Sequence, residues 1–128
     1  MADGMSLYLA NKLLGTFGGT SFSVSTPYLQ LHTGPPGYSG TAFVSAGSSA
    51  RKAVTFGTPA NGAIVITNQP SWTNGGVQEV ITDVSLWDAA TGGNFLRSAQ
   101  LAATVTWVAT NTLKMDAFGF SLTPVAGS

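Results

Sequence analysis

The sequence contains no cysteine and few charged side chains, and both deficits exclude whole classes of protein. Without Cys there is no disulfide framework, no thiolate nucleophile and no cysteine-ligated metal site. Only 8% of the 128 residues are charged, and five Lys and Arg are offset by five acids, too few cations for a nucleic-acid patch. A typical soluble domain is about 25% charged. The near-neutral surface is therefore expected either to be covered by copies of itself or partners, or to stay soluble through Ser, Thr, Asn and Gly.

Long hydrophobic runs are also absent. Near the N-terminus, Asp3 precedes any basic residue, and Asn11 and Lys12 interrupt the apolar residues. The sequence therefore predicts neither a signal peptide nor a membrane span. Its length predicts one domain, residues 1–128.

The clearest local pattern begins at Glu79. From there to Trp87, an extended backbone places Val80, Thr82, Val84 and Leu86 on one side and the intervening residues on the other, as a strand with a period of two requires. The adjacent glycines Gly92 and Gly93 then permit a tight reversal. Residues 94–101 are predicted to return as the second strand of a β-hairpin.

A helical period occurs near the N-terminus, where Leu7, Ala10, Leu14 and Phe17 recur at steps of three and four. The pattern predicts a helix at about residues 6–16 with Asp3 or Ser6 at its start. The apolar face of this helix is expected to lie either on the sheet of its own domain or on another subunit.

Shorter alternating runs predict the remaining strands. They lie at residues 22–24, 28–33, 51–56, 63–67, 102–108, 113–115 and 120–123. Asn61–Gly62 is a type I′ hairpin signal, while residues 38–49 are interpreted as a long loop and residues 68–76 as a polar connection. These spacings predict an all-β fold, an antiparallel β-sandwich of about eight strands with one short N-terminal helix. The sequence shows no internal repeat and no heptad or collagen-like shaft.

Catalytic chemistry finds little support in the residues. His32 is the single histidine, and no Gly-x-Ser-x-Gly elbow marks a nucleophile. The residues of a catalytic triad come from distant positions in the chain, so sequence spacing does not exclude a hydrolase whose catalytic histidine is His32. The expected role of His32 is nevertheless that of a hydrogen-bonded histidine on a strand. Asp83 and Asp88 would lie about 17 Å apart on a straight strand, too far for a glycosidase pair. Asp88 is expected to cap a turn, and Asp83 to face solvent or an interface; no catalytic, metal or cofactor site is predicted.

Three aromatic residues are the candidate contact residues. Trp87, Trp72 and Tyr38 carry rings that are suited to stacking on a sugar or to filling a subunit interface. The alternative interpretation is that these rings fill an apolar layer inside the protein.

Four segments together resemble a known family. The order LQLHTGPPG at 29–37, ARKAVTF at 50–56, Trp72, and ITDVSLWDAATGG at 81–93 is similar to small tailed-bacteriophage structural proteins usually labelled tail fibre proteins. The similarity covers most of the chain in order. The chain departs from the family pattern at Pro35–Pro36, where an acidic residue is common, at Ser49, where an aromatic is frequent, and at Asn111, where a Gly-Asp turn is usual.

The resemblance implies a virion structural protein without enzymatic activity, assembled in the cytoplasm of the bacterial host. Its expected partners are copies of itself and other virion proteins, namely the major capsid protein or tail proteins, with neither nucleic acid nor membrane. A compact oligomeric module on the virion exterior fits either capsid decoration or a tail fibre or tail-tip subunit, and both remain open. The alternative is a carbohydrate-binding module that recognises a host-envelope glycan through Trp87, Trp72 or Tyr38.

Overall fold

A computed structural model describes residues 3–121. Within these residues every strand pairing is antiparallel. The elements in chain order are α1 (Leu7–Phe17), β1 (Tyr28–His32), β2 (Lys52–Ala53), β3 (Ala63–Val65), β4 (Ser71–Thr73), β5 (Glu79–Trp87), β6 (Phe95–Trp107), β7 (Thr112–Lys114) and β8 (Gly119–Ser121). The all-β prediction with one N-terminal helix is confirmed.

The main sheet is built around the predicted hairpin. Its strand order is β2-β1-β5-β6, and β5 and β6 are joined by a turn in which Gly92 and Gly93 have φ values of 62° and 70°. Residues 102–108 were predicted as a separate strand, but residues 102–107 instead continue β6. A large bulge explains the difference, since Ile81 pairs with Val105 while Asp83 pairs with Gln100.

Two short ladders complete the fold, β3 with β8 and β4 with β7. The Asn61–Gly62 hairpin is confirmed, because φ values of 53° and 78° give the two positive angles of a type I′ turn. The polar connection predicted at 68–76 is wrong in part: it contains β4, in which Trp72 pairs with Leu113. Residues 22–24 form no strand, and residues 122–123 of the last predicted strand lie outside the described residues.

The helix is tied to the free edge of β6. The Ser6 hydroxyl caps α1 by accepting a hydrogen bond from the Leu9 amide at 3.1 Å. The Ser6 amide donates to the Leu96 carbonyl, and the Ser98 amide donates to the Gly4 carbonyl, both at 2.8 Å. The segment before α1 therefore covers part of the sheet edge and fixes where the helix begins.

A buried apolar core joins the helix to the strands. Leu31 and Leu86 lie inside it, as their positions on the alternating strands predict. The buried core residues are Leu9, Leu29, Leu31, Val54, Ile66, Trp72, Ile81, Val84, Leu86, Leu96, Trp107, Leu113 and Met115.

Candidate functional site

His32 lies at the centre of a buried hydrogen-bond chain. Its Nδ1 is 2.8 Å from the Ala42 carbonyl, and its Nε2 is 2.7 Å from the Ser85 hydroxyl. A carbonyl only accepts, so Nδ1 carries the proton and Nε2 accepts from Ser85. The Ser85 oxygen in turn accepts from the Trp87 indole N–H at 2.7 Å.

This chain of donors determines what His32 can do. The ring and the Ser85 hydroxyl are both buried, and burial lowers the pKa of His32, which favours the neutral imidazole. A nucleophilic serine needs an open face toward a substrate, whereas Ser85 is enclosed and has both a donor and an acceptor partner. The expected role of His32 as a hydrogen-bonded strand histidine is confirmed.

Asp83 does not lie where the sequence analysis expected it. It is buried, so its placement on a solvent or interface face was wrong; its carboxylate accepts a hydrogen bond from the Thr82 hydroxyl and lies beside Asp3. Burial, together with the neighbouring Asp83 carboxylate, raises the pKa of Asp3 to about 6. A cleft of about 550 Å³ opens here, lined by Asp3, Thr33, Gly34, Pro35, Thr82, Asp83 and Gln100.

Asp88 and Arg51 both stabilise the hairpin turn. The Asp88 carboxylate accepts hydrogen bonds from the backbone and side-chain amides of Asn94 at 2.7 and 2.9 Å, which confirms the predicted cap. Arg51 donates to the Ala89 and Gly92 carbonyls at 2.9 and 2.7 Å. Both Arg51 hydrogen bonds therefore go to backbone carbonyls of the turn.

The three candidate contact aromatics separate into two environments. Trp72 and Trp87 are only 1% and 5% exposed, so neither presents a ring face to a ligand. The Trp72 indole donates to the Ala50 carbonyl, while Trp87 is covered by Arg51, whose guanidinium lies 3.7 Å from the ring centre. Tyr38 is 93% exposed and is the member of the set that is open to a partner.

Tyr38 lies on a loop that the backbone holds firmly. The Thr33 amide donates to the Phe43 carbonyl at 2.8 Å, and the Ala42 amide donates to the Pro36 carbonyl at 3.0 Å. Phe43 has a φ of 55° and a largely exposed ring, a second aromatic on this loop that the sequence analysis did not single out. A positive φ at a bulky residue has no signal in the sequence.

The helix carries an apolar stripe on its outside. Leu7, Leu14 and Phe17 are 77%, 65% and 90% exposed, and half-buried Ala10 lies between them. We call Leu7, Ala10, Leu14 and Phe17 the outer stripe.

A second apolar face of α1 points inward. Leu9 belongs to the core cluster, Leu13 packs against it, and both line an apolar cavity of about 550 Å³ beneath the helix. One face of α1 therefore packs on the domain, whereas Leu7, Leu14 and Phe17 on the other face are largely exposed.

Metal and membrane sites find no support in the described part of the chain. Residues 3–121 contain no group of three or more His, Asp or Glu side chains placed to hold a metal ion. Over the same range, no helix is long and apolar enough to span a bilayer.

The comparison with family models decides the relationship. Residues 4–123 match the model described as podophage GP4 fiber I protein gp80. The chain belongs to the podophage GP4 fiber I protein family. Membership makes it a phage structural protein and a component of the virion, as the resemblance of its motifs indicated. A comparison of the chain with curated proteins found no match.

Proposed function

We propose that the chain is a non-enzymatic, oligomeric fibre subunit on the exterior of a tailed-phage virion, attached at the tail. The match of residues 4–123 to a fibre protein carries the proposal. The near-neutral composition and the exposed outer stripe support a protein that other subunits cover. His32 and its partner Ser85 are both enclosed, so this pair offers a substrate no accessible nucleophile, which supports the non-enzymatic role.

Tail attachment and capsid decoration predict different amounts of this polypeptide. A protein that covers the capsid lattice is expected at copy numbers comparable with the major capsid protein, whereas a tail fibre subunit is far scarcer. Quantitative mass spectrometry of purified virions gives the ratio, and labelling with an antibody in electron micrographs gives the place. Copy numbers close to those of the capsid protein would overturn the tail assignment in favour of decoration.

A second candidate function is recognition of a host-envelope glycan by the Tyr38 loop. The observation that favours it is the 93% exposure of Tyr38 on a loop whose backbone is already ordered, so binding costs little conformational entropy. An exposed tyrosine ring suits stacking on the apolar face of a sugar.

The glycan candidate is tested by comparing Tyr38→Ala with Val65→Ala. Both changes truncate an exposed apolar side chain, but Val65 lies on β3 rather than on the loop. Binding of the purified protein to host cell-wall fragments and glycan arrays is measured for both variants. Loss of binding in Tyr38→Ala alone supports the loop, and equal binding by both variants removes it.

A further inference from the structure

The outer stripe is the part of the helix that its own domain leaves uncovered. At about 100° per residue, Leu9 and Leu13 lie on one flank of a broad apolar face, and Leu7 and Leu14 lie on the other. The inward flank is buried or half-buried, whereas Leu7, Leu14 and Phe17 remain largely exposed. The sequence left open whether the apolar face of the helix packs on its own sheet or on another subunit. The inward flank packs on the domain itself, and the outer stripe is available to another subunit.

The spacing of the stripe is that of a helix pairing with a helix. Leu7 and Leu14 are separated by seven residues, as are Ala10 and Phe17, which gives the alternating three- and four-residue steps of a coiled-coil seam. Three such steps are too short for a shaft, but the folded domain already holds α1 in place through Ser6 and Leu9. Helix nucleation therefore adds no cost to association.

The charge distribution on α1 favours a second copy of the same helix. Lys12 is the single charged residue of the helix, and it lies about half a turn away from the outer stripe, near the Tyr8 ring. The positions that flank the seam are Asn11 and Leu13, neither charged. Two copies therefore meet without like-charge repulsion. The seam carries no charged group that would select an oppositely charged partner.

We propose that the outer stripe is the self-association interface of this protein, where α1 helices from separate copies pack through Leu7, Ala10, Leu14 and Phe17. The inference rests on the proposed oligomeric fibre function and names the surface through which the copies meet. The two large leucines and Phe17 provide the apolar contacts, and the small Ala10 lets the helix axes approach. Because every copy presents the same stripe, the contact is self-complementary and generates a closed assembly.

The first test introduces a charge on the seam. Leu14→Glu and Phe17→Glu are compared with Thr16→Glu, a change of equal charge at an exposed position on another side of α1. Light scattering coupled to size-exclusion chromatography and sedimentation equilibrium measure the oligomeric state, with circular dichroism as the folding control. We expect the two seam variants to weaken self-association by about 100-fold or more, as truncated hot spots do, and the control to match wild type. A wild-type monomer at high concentration, or seam variants that associate as wild type does, would overturn the proposal.

The second test uses the absence of native cysteine. In a parallel pair Leu14 faces Leu14, whereas in an antiparallel pair Leu14 faces Ala10. Leu14→Cys alone, and Leu14→Cys mixed with Ala10→Cys, are oxidised and compared with Lys12→Cys on the opposite side of the helix. A disulfide dimer in either seam experiment, without one in the control, supports the interface and gives its orientation; no seam cross-link overturns it.

These outcomes are separate from the test of the proposed function. Copy number in virions tests the tail assignment without reference to the helix. Suppose that the purified wild-type protein and the Leu14→Glu variant are both folded monomers, and that the variant is no longer incorporated into virions. Another virion protein then covers the outer stripe. That result refutes self-association and leaves the fibre assignment intact.

Discussion

Replacing Ser85 with Ala tests whether the buried hydrogen-bond chain stabilises the fold. The change removes one oxygen from a fully enclosed position and leaves two groups unpaired, the Trp87 indole N–H and the Nε2 of His32. Each buried polar group that loses its partner costs about 1 to 3 kcal/mol. Because one atom is lost, the cavity contribution is small, and we expect the free energy of unfolding to fall by about 2 to 6 kcal/mol.

Urea unfolding followed by tryptophan fluorescence measures this loss for Ser85→Ala. Ser39→Ala is the matched control, because the Ser39 hydroxyl has one partner, the Thr41 hydroxyl, on the exposed loop. The control is expected to stay within about 0.5 kcal/mol of wild type. A Ser85→Ala protein as stable as the control would refute the conclusion that the buried hydrogen-bond chain stabilises the fold.

Four further substitutions test the core, a close approach of the backbone to an aromatic ring, and an acidic side chain. Leu31→Ala and Leu86→Ala are each expected to lower the free energy of unfolding by about 2 to 5 kcal/mol in urea titrations, and unchanged midpoints would contradict their burial. Gly40 has a φ of 73°, and a Cβ there would lie 2.5 Å from the Phe95 ring, so Gly40→Ala is expected to cost more than about 2 kcal/mol in thermal unfolding; an unchanged Tm would show that the loop shifts freely. The pKa of Asp3, raised to about 6 from 3.8, means that the folded state binds this proton more tightly, so its stabilising effect is present at low pH and is lost as pH rises through 6. Asp3→Asn is therefore expected to be more stable than wild type at pH 8 by up to about 1 kcal/mol, after allowance for solvent screening of a partly exposed group. The gain fades toward pH 4, and a gain that grows on acidification would reverse the sign of the argument.

Local chemistry in the sequence determined several elements of this protein. Gly92–Gly93 and Asn61–Gly62 supply the positive φ angles of two turns, and the alternation before Trp87 matches β5 over its whole length. The helix begins where Ser6 caps it, close to the predicted start. These features depend on neighbouring residues alone, so they can be predicted from the sequence without knowledge of the tertiary structure.

Long-range pairing decided what the sequence analysis missed. A polar segment with Trp72 became β4 because Leu113 pairs with it, a partner that is distant in the chain. Asp83 occupies a position on β5 whose pattern suits either environment, and it is buried beside Asp3, a residue far away in the chain. The bulge that makes β6 a single strand likewise depends on its partner strand.

The sequence by itself determined the strand-rich class, the hairpins, the helix and the family of this protein, because alternation, turn chemistry and motif order are properties of neighbouring residues. The tertiary structure alone decided which of those side chains remain available. It enclosed Trp72 and Trp87, exposed Tyr38, and covered one flank of α1 while leaving Leu14 open. Burial is the outcome of contacts between residues far apart in the chain, and a local pattern contains no record of which surfaces meet.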